Sequence, residues 1–343
     1  MSLGSICLLP QIQALAGPAS FSARLKAGMA RLGVEVHHDP LRSDTRAILI
    51  IAGTRRIQPI LQARRRGVRV VQRLNGINWI HRYRKTGWRH FLRAEAGNLL
   101  LAFTRRYLAD AVIYQSQFAR DWWERTFGRT PVENTVIWNG VDLTEFSPKG
   151  DESPPFDRVR VQVVEGHLKG GFEIGLEIAA GFGAALQQRV GLPVEVVITG
   201  EVNPSDANRL VQMSTNLKIS LTGVVQPRQI PILNRQAHLF LSTDLHAACP
   251  NSVIEALACG TPVAAYATGA LPELVRGDSG RVVGYGNDPW RAELPRFEPL
   301  ADAVLEILQD ARRFRLTARQ TAEECFDLGK MCAAYLQALL PSA

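Results

Sequence analysis

The chain has 343 residues, 46% hydrophobic and 21% charged, which suffices for two globular domains and excludes a chain that is mainly disordered. No apolar run reaches the ~20 residues that cross a bilayer, and five cysteines without a CxxC pair argue against a disulfide framework or structural zinc. The net charge of +8 hides two unlike halves: residues 1–150 carry 23 Lys+Arg against 10 Asp+Glu, and residues 151–343 carry 17 against 22. A first half at +13 and a second at −5 predict two functional parts, the first facing something anionic. The start, MSLGSICLLPQIQALAGPAS, has no basic residue before Arg24 and reads as a buried first strand rather than a secretory signal. A cytoplasmic location is expected, with peripheral contact at the inner face of the membrane.

Short runs rich in Val and Ile alternate with helical stretches. In the first half they are Ile6–Leu9, Val34–Val36, Ala47–Ala52, Val68–Val71, Ala111–Tyr114 and Thr135–Trp138. In the second half they are Val159–Val164, Val194–Thr199, Lys218–Thr222, His238–Leu241 and Pro262–Tyr266. Strands buried on both faces read this way, because helices cover both sides of a parallel sheet. Phe172, Leu176, Ala179, Phe182 and Leu186 repeat at spacings of three and four and predict a helix with one apolar face. Strand and helix alternate twice over, which predicts the α/β class with two doubly wound, Rossmann-like domains. The polar, Pro-rich stretch Ser147–Pro155 sits where the charge changes sign. It predicts domains at 1–150 and 151–326, with a last helix in 327–343 whose stripe of Met331, Ala334, Tyr335 and Ala338 suits docking.

In the first half, arginines cluster at Arg55-Arg56, Arg64-Arg65-Arg66, Arg82-Tyr83-Arg84-Lys85 and Arg105-Arg106, interleaved with Trp79, Tyr83, Trp88, Trp122 and Trp123. Three readings stay open, in this order: a surface for anionic lipid or a phosphorylated acceptor, a set of solvated helix faces over core aromatics, and a nucleic-acid surface. No nucleic-acid-binding signature accompanies the cluster, so nucleic acid is not expected as a partner. Asn75 and His81 follow a predicted strand and are candidates for acceptor-side contacts. The adjacent His37-His38 do not make a tetrahedral site, and no metal is expected.

The most informative stretch runs from Cys249 to Val263. Pro250 ends any strand, Asn251 or Ser252 suits an N-cap, Val253–Ala258 supplies a short apolar helix, and Gly260 stops it. A loop entering a helix at the carboxyl edge of a parallel sheet binds anions, because free N–H groups and the positive dipole end point outward. Ser252-x-x-Glu255 is equally a capping box, in which Glu255 only reaches back to a backbone N–H.

The string PNSVIEALACGTPVAAYATGALPELVRGDSGRVV closely resembles the donor-binding segment of the family 4 glycosyltransferases, whose fold is GT-B: two Rossmann-like domains facing across a cleft. Ala16–Phe21 resembles their glycine loop, with Gly17 as its glycine. Val136–Asp142 with Phe146-Ser147-Pro148 resembles the run ending their first domain, and Leu168-Lys169-Gly170-Gly171 sits where they carry a donor-phosphate lysine. The resemblance implies that Glu255 holds the ribose, that the amides of Asn251, Ser252 and Val253 beside Pro250 meet the pyrophosphate, and that Lys169 neutralises it. It further implies that Gly223 and Val224 border the base, that Gly269 opens a further helix on the same edge, and that the last helix crosses back onto the first domain. Two positions depart from the pattern: Ala247 stands where an acid is usual, and His167 is what remains near an expected arginine. Asp244 and His246 are the neighbours available to compensate.

Retaining transfer of a hexose follows as the expected function, from a UDP- or GDP-linked donor to a hydroxyl of a glycan, lipid-linked saccharide or glycolipid in cell-surface polysaccharide synthesis. Lys169 and Glu255 are the expected catalytic residues. No Asp-x-Asp pair is present, so a reaction without metal or other cofactor is expected. A nucleotide-sugar epimerase and a catalytically weak nucleotide-sugar or membrane-binding protein are the alternatives.

Overall fold

A computed structural model describes residues 5–11, 17–84, 86–168, 172–213 and 217–341, with backbone alone at 17, 18, 167, 208, 209 and 211–213. The strands are β1 (Ser5–Leu9), β2 (Glu35–His37), β3 (Thr45–Ile51), β4 (Arg69–Leu74), β5 (Ala111–Tyr114), β6 (Glu133–Val136), β7 (Val159–His167), β8 (Val194–Glu201), β9 (Lys218–Gly223), β10 (Leu239–Leu241), β11 (Val263–Tyr266) and β12 (Gly280–Val283). The helices are α1 (Gly17–Arg31), α2 (Ile57–Arg65), α3 (Trp88–Phe103), α4 (Gln117–Phe127), α5 (Ile174–Gln187), α6 (Pro204–Met213), α7 (Ile230–Arg235), α8 (Asn251–Ala258), α9 (Leu271–Leu274), α10 (Glu298–Ala303), α11 (Leu305–Gln309), α12 (Ala311–Cys325) and α13 (Leu328–Leu339). No helix among the described residues is long and apolar enough to cross a membrane.

The chain divides into two compact units, one of residues 1–79, 87–140 and 326–343 and the other of 80–86 and 141–325. The first is built on a parallel sheet in the order β2-β1-β3-β4-β5-β6. Alternation along β3 explains its layers. Ile48 and Ile50 pack with Ile60 and Ala63 of α2 on one face, while Ala47, Leu49 and Ile51 pack with α1 and α13 on the other. Asp327 caps α13, its carboxylate accepting from the Lys330 amide at 2.8 Å. Leu328, Met331, Cys332, Tyr335 and Leu339 then enter this unit's core, with Tyr335 packed 5.3 Å from the Phe21 ring. Arg73, buried at the end of β4, donates to the Tyr335 hydroxyl at 3.1 Å, to Asn139 Oδ1 at 2.8 Å and to Asn75 Oδ1 at 2.9 Å. Its guanidinium lies 3.6 Å over the Phe21 ring.

Three of the aromatics interleaved with the arginine clusters are core residues here: Trp79, Trp122 and Trp123 are buried, and Tyr83 and Trp88 are exposed. The changeover between units falls at Gly140/Val141, ahead of the expected Ser147–Pro155 linker. That stretch is held to the second unit. Arg235 donates to the Ser147 carbonyl at 3.2 Å and pairs with Glu152 at 2.7 Å, and Arg319 donates to the Phe146 carbonyl at 2.9 Å.

The second unit carries a parallel sheet in the order β12-β11-β10-β7-β8-β9. Leu176, Ala179, Phe182 and Leu186 form the buried face of α5, whereas Phe172 precedes the helix and is exposed. Strand β12 is absent from the predicted runs, since Gly280-Arg281-Val282-Val283 is short and interrupted by a charge. Winding reverses between β7 and β10, which pair in register at Leu239↔Val161 and Phe240↔Gln162. Ligands of doubly wound sheets bind outside the carboxyl ends of the strands at such a reversal.

Candidate functional site

Two carboxylates flank this reversal. Glu165 stands near the carboxyl end of β7, and Asp244 three residues beyond β10. The hydroxyl of Thr243 donates to Glu165 Oε1 at 3.4 Å. Burial, then the charge of Asp244, pushes the Glu165 carboxyl well above the ordinary carboxylate range. Burial likewise pushes Asp244 up to about 6. Burial and like charge both favour the protonated forms, so the two carboxyls titrate as a coupled pair.

Beyond Asp244 the chain turns sharply. His246 has φ of 57°, and its imidazole stacks on Trp290 with ring centroids 3.5 Å apart and planes 13° from parallel. Burial holds the imidazole down to about 4, against a hydrogen bond to the Pro289 backbone, so it is neutral at pH 7. The turn is tied by the Ala270 amide donating to the Ala247 carbonyl at 2.8 Å. Gly269 lies opposite with φ of 57°, and a Cβ there would sit 2.5 Å from that carbonyl oxygen. Gly269→Ala is therefore expected to cost about 1–3 kcal/mol, visible as a lowered thermal midpoint, since neither its φ nor the space admits a methyl group. An unshifted midpoint would show that the turn adapts.

Pro250, with φ of −68° and ψ of 121°, occupies the N-cap of α8 and makes no side-chain cap. Asn251, Ser252 and Val253 become the first three helical residues, and the Ile254 amide makes a long bond of 3.4 Å to the Pro250 carbonyl. The amides of Asn251, Ser252 and Val253 are the ones an α-helix leaves without intrahelical acceptors. This register removes the capping-box reading: Ser252 is the second helical residue and Glu255 the fifth, so neither stands at a box position. Glu255 is buried, at 9% exposure. The helix ends in paired bonds from Gly260 to the Leu257 carbonyl and from Thr261 to the Ala256 carbonyl, both 2.9 Å, with Gly260 at φ of 70°. Arg319 adds a cation there, donating to the Ala258 carbonyl at 2.8 Å.

Asp244, His246, Pro250, Asn251, Ser252, Val253 and Glu255 are thus carried by one β10–α8 connection. Lys169 lies outside the described residues, and His167 is described only as the last backbone of β7. Gly223 ends the edge strand β9, two strands from β7, and Val224 just beyond it is 69% exposed. Gly17 opens α1 in the first unit. Asn75 falls in the first unit and His81 in the second. Asn75 is tied into the Arg73 network, accepting also from Gln115, while its carbonyl accepts from the Trp123 indole at 2.6 Å. His81 is buried in the short turn Ile80–Arg82. Glu165 was not among the expected site residues; its signal is a carboxylate directly after the apolar pair Val163-Val164 near the end of β7. Trp290 left no signal.

Residues 177–310, a stretch that contains β10, α8 and the turn between them, match the family described as glycosyl transferases group 1. That stretch matches a glycosyltransferase family, and the fold is GT-B. The chain is 30% identical over 239 residues to a GDP-mannose-dependent alpha-(1-6)-phosphatidylinositol dimannoside mannosyltransferase of Mycobacterium tuberculosis, covering 67% of this chain and 57% of the relative. It therefore spans little more than half the length of that relative. Among solved structures, a sucrose-phosphate synthase of Thermosynechococcus elongatus is similar over 98% of both chains, with a TM-score of 0.71 and 16% identity. Anabaena HepE, solved with UDP and glucose, is similar over 98% of this chain and 99% of its own, with a TM-score of 0.65 and 17% identity. At such identities the likeness concerns the GT-B fold alone.

Proposed function

We propose that this GT-B glycosyltransferase moves a hexosyl group from a GDP- or UDP-linked donor to a hydroxyl of a lipid-linked or glycan acceptor, with retention and without metal. The observation that carries the reading is the uncapped start of α8 at the winding reversal, with the buried Glu255 one turn further in. The amides of Asn251–Val253 receive the pyrophosphate, Lys169 supplies a cation to it, and Glu255 accepts hydrogen bonds from the ribose hydroxyls. In the step itself the bond from the anomeric carbon to the donor phosphate breaks and one to the acceptor oxygen forms on the same face. The acceptor proton passes to the departing phosphate oxygen. The protein's tasks are then positioning and charge stabilisation. With Ala247 unable to meet the transferred sugar, the coupled Glu165–Asp244 pair offers hydrogen-bonding groups to its hydroxyls. GDP-mannose heads the list of donors, because the mycobacterial relative is described as dependent on it.

Ala247 also favours a second reading, donor binding with little turnover. One experiment separates them: thermal shift against a panel of nucleotide sugars, then product analysis by NMR with glycolipid acceptors. Binding stabilises by RT ln(1 + [L]/Kd), so the matching donor is expected to raise the midpoint and yield an α-linked product. A shift without product supports the second reading, an isomerised donor an epimerase, and no shift with any nucleotide sugar overturns the proposal.

A further inference from the structure

Helix α3 buries one side and exposes another that is equally apolar. Its inner side is fixed by Ala94 and by Asn98, whose Oδ1 accepts from the Asn78 amide at 3.0 Å and whose Nδ2 donates to the Asn78 carbonyl at 2.9 Å. Leu101 closes the same side against Gly53. At 100° per residue the opposite side carries Trp88, Leu92, Ala96, Leu99 and Phe103, spaced four, four, three and four apart. That is the stripe a helix ordinarily turns to a core, yet here Trp88 is 70% exposed, Leu92 58% and Leu99 63%. A π-helical turn, Thr104–Leu108, extends the stripe to Tyr107, whose ring packs 5.3 Å from Phe103. Arg89 and Arg93 run along one flank, Arg89 lying 5.3 Å over the Trp88 ring, and Arg106 sits beside Tyr107 at its far end. Glu95 is the one acid within 88–108.

We propose that this outward face of α3 docks on an anionic lipid bilayer, with its apolar stripe in the headgroup boundary and its arginines on the lipid phosphates. A protein partner would cover the stripe as well. The flanking arginines, with Trp and Tyr at the two ends of the stripe, match a negatively charged interface between water and hydrocarbon instead. Docking is independent of the transfer reading, because it is read with no donor present.

The test is sedimentation of the full chain with phosphatidylglycerol-containing vesicles and with pure phosphatidylcholine vesicles, at low and at high salt. Trp88→Ser with Leu99→Ser, Arg89→Gln with Arg93→Gln, and the control Leu316→Ser on the exposed side of α12 are compared. The wild type and the control are expected to bind the anionic vesicles and to lose binding to phosphatidylcholine and in salt. Each double variant is expected to bind roughly ten-fold or more weakly with an unchanged thermal midpoint. Failure of the wild type to sediment with anionic vesicles, or equal binding by all variants, overturns the proposal. So does a concentration-dependent dimer that the apolar double variant abolishes, which would identify a second copy as the occupant.

Discussion

Glu255→Ala is expected to lower donor affinity and turnover by about ten-fold or more, with little change in the thermal midpoint of the free protein. The carboxylate is buried at the fifth residue of α8, past the positions from which a side chain caps the helix's first-turn amides. Removing it does not uncap the helix, whose far end is closed independently by the Gly260 and Thr261 amides and by Arg319. The loss should fall on the ribose. KM for the donor and the midpoint shift produced by the free nucleoside diphosphate should both deteriorate, and Glu255→Asp should recover part of each. A variant that keeps its donor KM and nucleotide-induced shift would remove Glu255 from the donor site.

A pH dependence carried by the Glu165–Asp244 pair is the second large effect. Both carboxyls have folded pKa values above their ordinary ones, Asp244 at about 6, so the folded state holds more protons than the unfolded chain. Stability from such acids is complete below the unfolded value of about 4 and is lost as pH rises through the folded value. Wild-type protein is therefore expected to soften between pH ~4 and ~7, Asp244 alone contributing about 2–3 kcal/mol. Asp244→Asn should flatten this limb, because it removes one titration and relieves Glu165 of its neighbour's charge. If the pair meets the transferred sugar, donor affinity should weaken over the same interval in wild type and become nearly pH-independent in the variant. Superimposable midpoint-versus-pH curves for the two proteins would show that the pair does not share a proton.

The sheets were legible because their strands are buried on both faces, as in Ala47–Ile51 or Val196–Ile198, where no polar residue interrupts the apolar run. Gly280–Val283 lacked that signature, its arginine being turned to Asp278 and Glu306 outside the sheet. The loop into α8 was legible as an anion site, but its register was not. Pro250 serves as N-cap without offering a side chain, and residue preference alone placed the start at Asn251 or Ser252. Composition could not separate Trp122 and Trp123, which are core, from Trp88, which is surface, because all three sit among charged residues. A helical period shows that α3 has an apolar stripe and says nothing of which way it faces; the Asn78–Asn98 hydrogen bonds decide that through the tertiary structure. Glu165 and Asp244 lie 79 positions apart and become neighbours only through the pairing of β7 with β10.

Helix α13 has a consequence for how the protein is made. The hydrophobic layer beneath β1 and β3, and the hydroxyl that meets the Arg73 guanidinium, are supplied by residues 328–339, which a ribosome adds only after all of 141–325. The first half of the polypeptide is therefore completed only after the second has been synthesised, its apolar flank uncovered until then.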